Sequence, residues 1–191
     1  MFFRFIRFIA RIVAYVGFRP VVTGRENIPK EGGFLLCGNH IHAFDPIALA
    51  IFMKRQPRFM AKKELFEKPL LRAFFRAMGA YPIDRKAAAD MQAYRTTMDL
   101  LKQGNGVLIF SQGTRMKDFD NAKSGVALFA LKSGAPIVPV GIRGNYKAWS
   151  KVYINFGEPI SMEQYQGQKV KTELVDEVMA ALAARIKPLL K

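Results

Sequence analysis

Residues 34–46 read FLLCGNHIHAFDP, an apolar run that passes directly into a polar turn. The continuous apolar character of residues 34–37 predicts a buried strand. Proline fits the first position of a helix and disfavours helix in the residue before it, so the Asp45-Pro46 pair predicts a helix that begins at Pro46. The stretch therefore predicts a strand, a turn over residues 38–44 and a helix, with Asp45 at the helix N-cap.

Two polar residues of this turn, His40 and Asp45, are five positions apart. A continuous helix would separate them by about 140° and a strand would send them to opposite faces, so the chain must turn before they can meet. A carboxylate at the start of the helix can then fold back to the imidazole, fix its tautomer and stabilise its charged form. In this arrangement His40 can act as a general base.

Two other interpretations of these residues stay open. Aspartate before proline is often only a helix cap, and a histidine near a strand end is often a satisfied surface or core group. Metal binding by His40, His42 and Asp45 is the third interpretation. Because the chain has two histidines and one cysteine, the remaining ligands of such a metal site would have to be distant carboxylates.

Outward from this stretch, apolar runs alternate with helical patterns. Further strands are predicted at residues 21–24, 58–61, 107–110, 136–142 and 152–156, and helices at 69–78, 86–103, 124–133 and in the tail. The prolines in the strand at 136–142 favour an edge position or a bulge. The sequence thus predicts a single α/β domain over residues 20–191, with a mixed, largely parallel sheet flanked by helices.

The first 19 residues, MFFRFIRFIARIVAYVGFR, contain no acidic side chain. On a helix their arginines lie within one arc and apolar residues occupy the opposite side. Because arginines interrupt the apolar run, a transmembrane span and a signal peptide both fit poorly. A helix packed on the core with its arginines in water is one interpretation. We favour an amphipathic helix over residues 1–19 that binds anionic lipid at the membrane interface through Arg4, Arg7 and Arg11.

The charge balance indicates an anionic partner. The 191-residue chain has 30 Lys and Arg against 15 Asp and Glu, a formal net charge of +15, which suits nucleic acid, acidic lipid or an acidic carrier protein. The absence of a helix-turn-helix, zinc-finger, RRM or KH pattern argues against nucleic acid. The lone Cys37, in an apolar run, is expected to be a core residue and favours a reduced, cytoplasmic setting.

A second polar segment, Ser111-Gln112-Gly113-Thr114-Arg115, follows the predicted strand 107–110. Glycine permits a close approach of the backbone to a ligand, and arginine offers a planar fork that suits phosphate. Because active residues of α/β folds gather at the carboxyl ends of strands, this segment and His40 are expected to be neighbours. An ordinary loop is the alternative for this segment taken alone.

Four segments, in order, resemble the 1-acyl-sn-glycerol-3-phosphate acyltransferase family of glycerolipid acyltransferases. Asn39 through Asp45 resembles the NHxxxxD block of that family, and Gly79 through Arg85 resembles its second block. Residues 110–115 are similar to FPEGTR, and residues 137–140 to the proline-containing fourth block. Residues 24–29 and 62–66 also look like family segments. The match spans about residues 21–160, and four ordered blocks are more specific than any one of them.

The resemblance implies transfer of an acyl chain from acyl-CoA or acyl carrier protein to the sn-2 hydroxyl of lysophosphatidic acid, which makes phosphatidic acid. His40 and Asp45 would be the catalytic pair, and neither a cofactor nor a metal is implied. The residues expected to bind the substrate phosphate are Arg115, Gly113, Thr114, Arg85 and Lys63, and those expected to support the motifs are Asn39 and Gln112. Because such substrates are membrane lipids, the helix at 1–19 would dock a peripheral, monotopic enzyme on the cytoplasmic face of the cell membrane.

The third block departs from the family pattern at two positions. Ser111 stands where proline is usual, and Gln112 stands where glutamate is usual. We expect Gln112 to replace the glutamate as a hydrogen-bond acceptor. Acylation of another lysolipid or hydroxylated lipid is the alternative reaction, and a non-catalytic membrane-binding relative is the alternative of another class.

Overall fold

One mixed sheet with helices on both faces is the framework of the computed structural model, which describes residues 2–84, 90–110 and 124–191 and leaves out the side chains of residues 2–4 and 6. The strands are β1 (Arg19–Thr23), β2 (Phe34–Gly38), β3 (Arg58–Lys62), β4 (Ala80–Ile83), β5 (Gly106–Phe110), β6 (Ile137–Gly144) and β7 (Lys151–Phe156). The helices are α1 (Phe2–Gly17), α2 (Asp45–Phe52), α3 (Pro69–Ala77), α4 (Met91–Lys102), α5 (Gly125–Ser133) and α6 (Thr172–Leu189).

The order of the strands places several strand ends at one edge of the sheet. In the described part of the chain the sheet has seven strands in the order β1-β7-β6-β2-β5-β3-β4. The strands β6, β2, β5, β3 and β4 run parallel to one another, and β7 is antiparallel to β6. The carboxyl ends of β2, β5, β3, β4 and β6 therefore share an edge, where active residues of such folds gather. The predicted α/β fold class is confirmed.

The central strand β2 is buried on both faces, which explains its unbroken apolar sequence. Phe34 and Leu36 point to the layer that contains α1 and α2, whereas Leu35 and Cys37 point to the layer formed by α4, α5 and α6. Cys37 is fully buried among apolar side chains, as expected of a core residue. Burial of each large apolar side chain contributes about 1.5–3 kcal/mol.

The edge position predicted for β6 from its prolines is wrong, because β6 lies between β7 and β2. The alternative, a bulge, agrees with the register, which shifts by one residue between the pairs Val140–Phe156 and Ile137–Ile160. Pro136 precedes the strand. The carbonyl oxygen of Pro139 accepts a hydrogen bond from Gly157 N at 2.8 Å, one residue beyond the end of β7. The nitrogen and the carbonyl of a strand residue point to the same side, so the missing N–H of Pro139 falls at the end of the β6–β7 ladder.

Two arginines of α1, Arg7 and Arg11, face the domain. Nη1 of Arg7 donates to the carbonyl oxygens of Met53 at 2.7 Å and Lys54 at 3.0 Å, and Nε of Arg11 donates to the carbonyl oxygen of Ile51 at 2.9 Å. These carbonyls lie at or just beyond the carboxyl end of α2, where intrahelical donors run out and cations are favourable. Arg7 and Arg11 thus hold α1 against α2, and their binding to lipid stays a prediction; the side chain of Arg4 lies outside the described residues.

The opposite face of α1 is apolar and exposed. It carries Phe5, Phe8, Ile9, Ile12, Val13, Tyr15 and Val16. The predicted helix 1–19 ends at Gly17, since Arg19 already begins β1. Among the helices that the structure describes, none is long and apolar enough to cross a membrane.

Candidate active site

The turn that follows β2 begins with an asparagine built into the sheet. The side chain of Asn39 donates from Nδ2 to the carbonyl oxygen of Ile142 at 2.7 Å and accepts at Oδ1 from Ile142 N at 2.8 Å. Asn39 is buried, so its amide acts as one more peptide group between β2 and β6 after the strand has ended at Gly38. This pair of bonds fixes the direction in which the chain leaves the sheet.

Asp45 is fully buried at the start of α2. Its Oδ2 atom accepts hydrogen bonds from the backbone N–H groups of Ile41 and His42, both at 2.8 Å, and lies 2.7 Å from Nδ1 of His40. Its Oδ1 atom accepts from the hydroxyl of Tyr146 at 2.7 Å. Asp45 therefore stabilises the turn that precedes the helix. The prediction that Asp45 is the N-cap is wrong: Asp45 is the first residue of α2, and the N-cap is Phe44, which makes no side-chain cap.

The same carboxylate decides the tautomer of His40. An ionised carboxylate only accepts, so Nδ1 of His40 carries the hydrogen and Nε2 is the basic nitrogen of the ring. The ring stacks on Phe110, the last residue of β5, with centroids 4.1 Å apart and planes 15° apart. The side chain of His40 is 15% exposed. The imidazole is thus held from two sides and is accessible at the edge of the sheet.

The second histidine is arranged differently. Nδ1 of His42 accepts from Phe44 N at 3.2 Å, and its ring lies against Tyr146. His42 is exposed, and among the described residues no group of three or more His, Cys, Asp or Glu side chains is placed to hold a metal ion.

Tyr146 is a site residue that the sequence did not reveal. It follows β6 and lies 101 positions from Asp45 in the chain, so no local spacing links the two. Its ring contacts those of Phe18, Phe44 and His42, with centroids 5.3, 5.6 and 4.8 Å away. Burial, followed by the nearby Asp45 carboxylate, raises the pKa of the Tyr146 phenol well above its ordinary value, so the hydroxyl stays protonated and donates.

One predicted phosphate ligand lies at the same sheet edge. Lys63 follows β3 and its Nζ atom lies 2.5 Å from Oδ2 of Asp84, which follows β4. This hydrogen bond, together with the charge of Asp84, raises the pKa of the exposed Lys63 amine. A bound phosphate would have to pair with Lys63 alongside Asp84 or take the place of Asp84 in the ion pair. The other predicted phosphate ligands lie outside the described residues; they are Arg85, Gly113, Thr114 and Arg115. The motif residue Gln112 also lies outside them.

Comparisons with known proteins agree with this fold. The Acyltransferase family model matches residues 19–143. The 1-acyl-sn-glycerol-3-phosphate acyltransferase of Bacillus subtilis is 31% identical over 174 residues, which cover 88% of this chain and 86% of that protein. The enzyme of the same name from Borreliella burgdorferi is 27% identical over 185 residues, which cover 87% of this chain and 72% of that protein.

A solved structure is also similar. The crystal structure of the 1-acyl-sn-glycerophosphate (LPA) acyltransferase PlsC from Thermotoga maritima superposes with a TM-score of 0.72 at 27% identity, over 95% of this chain and 77% of that chain. The chain therefore belongs to the acyltransferase family and is an enzyme of that family. The resemblance drawn from the four sequence blocks is confirmed.

Proposed function

We propose that this enzyme transfers an acyl chain from an acyl thioester, either acyl-CoA or acyl carrier protein, to the sn-2 hydroxyl of 1-acyl-glycerol-3-phosphate, and so makes phosphatidic acid for phospholipid synthesis. The observation that carries the proposal is the His40 ring, fixed by buried Asp45 at the carboxyl edge of the parallel strands. The names of the Bacillus and Thermotoga relatives support lysophosphatidic acid as the acceptor.

The chemistry follows from the tautomer of His40. Nε2 takes the proton of the sn-2 hydroxyl while that oxygen attacks the thioester carbonyl carbon. The carbon–sulfur bond then breaks, and the thiolate leaves with the proton that the imidazolium returns. Asp45 orients the ring and stabilises the imidazolium in between, so no covalent acyl-enzyme is needed. General base catalysis of this kind contributes about 10²–10⁴-fold.

The acceptor phosphate needs its own binding group. We assign this role to Arg115 with the backbone N–H groups of Gly113 and Thr114, and to Arg85 and Lys63 as further cations. The segment 111–115 continues directly from β5, whose last residue, Phe110, stacks on His40. An anchor there would hold the hydroxyl against the base, and positioning of this kind lowers a barrier by several kcal/mol.

We expect Gln112→Glu to give no large gain in turnover.

The test is acyl transfer by the purified protein in lipid vesicles, from acyl-CoA and from acyl carrier protein, to lysophosphatidic acid beside other lysolipids. We expect phosphatidic acid from the wild type and at least about a 100-fold loss with His40→Ala. His42→Ala removes the second imidazole and keeps the backbone N–H that binds Asp45. Because it also removes a ring contact of Tyr146, we expect a small loss of activity, well below that of His40→Ala. Acylation of a different lysolipid alone would contradict the acceptor, and no acylated product from either donor would contradict the reaction.

We also propose that the enzyme is a peripheral, monotopic protein on the cytoplasmic face of the membrane, held by the apolar face of α1. Exposed apolar side chains of α3 extend this face, with Leu70 82% exposed and Leu71 and Phe74 each 39% exposed. An apolar groove of about 390 Å³ separates the two helices, and its floor includes Phe44 of the turn between His40 and Asp45. A net charge of +15 suits anionic lipid around this apolar patch.

Deletion of residues 1–19 is a poor test of membrane binding by α1, because it also removes the hydrogen bonds from Arg7 and Arg11 to α2. The sharper variant is Phe8→Ser with Val16→Ser, two side chains about 60% exposed. We expect this variant to bind anionic vesicles at least about 10-fold less tightly, with an unchanged Tm. Met91→Ser on α4, across the sheet, is the control for loss of an exposed apolar group. Unchanged flotation with vesicles would contradict the anchor.

A further inference from the structure

Tyr146 approaches the His40–Asp45 pair from the side opposite to the imidazole. The two oxygens of Asp45 have different partners: Oδ2 binds the turn and His40, whereas Oδ1 binds the Tyr146 hydroxyl. The terminal torsion of an aspartate is broad, so bonds to Oδ2 alone define the plane of the carboxylate weakly. A donor on Oδ1 defines that plane and satisfies a buried oxygen.

We propose that Tyr146 is a positioning residue of acyl transfer, whose hydroxyl fixes the Asp45 carboxylate so that Oδ2 meets Nδ1 of His40. The role in turnover rests on the proposed function. The Tyr146 hydroxyl binds Oδ1 of Asp45, so the proposed role acts on His40 through Asp45. Tyr146 lies outside the four sequence blocks, so the motifs did not predict this contact.

The end of α1 holds the Tyr146 ring in place. Phe18 meets the ring edge to face with centroids 5.3 Å apart, and meets Phe44 in the same way at 5.9 Å. The loop after Tyr146 is tied to the same end of the helix, because Trp149 N donates to the carbonyl oxygen of Gly17 at 2.8 Å. The residues at the junction of α1 with β1 thus pack with the turn that carries His40 and with Tyr146. Besides its proposed role at the membrane, α1 therefore stabilises the position of Asp45.

A purely structural role predicts different behaviour from a positioning role. Tyr146→Phe keeps the ring contacts and removes the one O–H that binds Asp45. Tyr165→Phe is the matched control, because Tyr165 is also buried and donates to a carboxylate, Glu177 Oε1 at 2.9 Å, within the opposite helix layer. Both variants lose one tyrosine–carboxylate bond, so a general effect on packing would appear in both.

The experiment compares steady-state kinetics and the proton NMR signal of the His40 Nδ1–H, recorded with ¹⁵N-labelled histidine in the full-length protein. For Tyr146→Phe we expect kcat to fall about 10- to 100-fold, the loss for one hydrogen bond to a charged group. KM for both substrates should change less than about twofold, because the proposed role acts on the base through Asp45 and not on the binding of substrate. The Nδ1–H signal should shift or broaden. Tyr165→Phe should change none of these quantities.

Two results would overturn the proposal. One is an unchanged kcat with an unchanged Nδ1–H signal in folded Tyr146→Phe, and the other is an equal fall of kcat in Tyr165→Phe. If the wild type transfers no acyl group, the proposed function fails, and the Nδ1–H signal still decides whether Tyr146 positions the pair. If Tyr146→Phe does not fold, Phe18→Leu serves instead: it loosens the ring and keeps the hydroxyl, and we expect a smaller fall of kcat with the same NMR shift. An unchanged signal there would count against the proposal.

Discussion

One oxygen of Asp45 binds both Nδ1 of His40 and the backbone of the turn that carries it. Oδ2 lies 2.7 Å from Nδ1 and 2.8 Å from the N–H groups of the two residues that follow His40. The orientation of the imidazole and the shape of the turn therefore depend on the same buried negative charge. Hydrogen bonds to a charged acceptor are stronger than neutral ones, so the pair is rigid before substrate arrives.

Replacement of this charge tests the pair. In Asp45→Asn an amide of the same shape stands beside His40, and it neither stabilises the imidazolium nor enforces the Nδ1–H tautomer. We expect kcat to fall about 10²–10⁴-fold in the vesicle assay. Asp99→Asn, an exposed aspartate on α4, is the control for loss of one negative charge. An Asp45→Asn enzyme within threefold of the wild type would show that the pair is not catalytic.

The Asn39 amide is expected to matter for stability as much as for activity. Asn39→Ala leaves both the N–H and the carbonyl of Ile142 without their partner in a buried position. Each buried group left unsatisfied costs about 1–3 kcal/mol, so we expect a loss of about 2–4 kcal/mol in the free energy of unfolding. Urea unfolding with an unchanged m-value measures it. Asn145→Ala, at an exposed position of the loop after β6, should stay within about 0.5 kcal/mol of the wild type.

The contact of Arg11 with α2 leads to a prediction that differs from the one expected of a lipid headgroup contact. Arg11→Ala removes a cation from the carboxyl end of α2, so we expect a loss of about 1–2 kcal/mol in the free energy of unfolding. Arg95→Ala on α4 removes the same charge from an exposed position. Vesicle affinity should fall equally in the two variants. A selective loss of vesicle affinity in Arg11→Ala, at unchanged stability, would show instead that Arg11 binds lipid headgroups.

Asp90 gives a pH-dependent prediction. Its carboxylate accepts from Ala93 N at the start of α4 and from Asp84 N at the end of β4, and the bond from Ala93 N is the larger cause of its lowered pKa. Because the pKa is lower in the folded state, this stabilisation is present above the unfolded value of 3.8 and is lost as the pH falls through the folded value. Asp90→Ala should therefore lower Tm at pH 7, and the difference from the wild type should shrink below about pH 4.

Thermal unfolding of both proteins between pH 7 and pH 3 measures this difference. Asp99→Ala, an exposed aspartate later in the same helix, is the control for a general effect of charge. A Tm difference that stays constant to pH 3 would mean that the carboxylate charge of Asp90 does not contribute.

The sequence was informative wherever a few consecutive residues decide the outcome. The apolar run at 34–37, the turn and the Asp45-Pro46 pair together led to the strand, the reversal and the helix, with the helix beginning one residue earlier than predicted. Alternation of such segments was sufficient for the α/β class. The four ordered blocks identified the family, because their residue types recur at fixed local spacing, apart from Ser111 and Gln112 in the third block.

Contacts between distant segments were decided only by the tertiary structure. The arginines on one side of α1 were visible in the sequence. That Arg7 and Arg11 face α2 depends on the backbone carbonyls at the end of α2, which have no donor within that helix. Pro139 is tolerated in a central strand because β7 ends beside it. The bond from Tyr146 to Asp45 joins residues 101 positions apart. A local pattern encodes backbone conformation over a few residues, whereas such partners depend on the order in which the strands assemble.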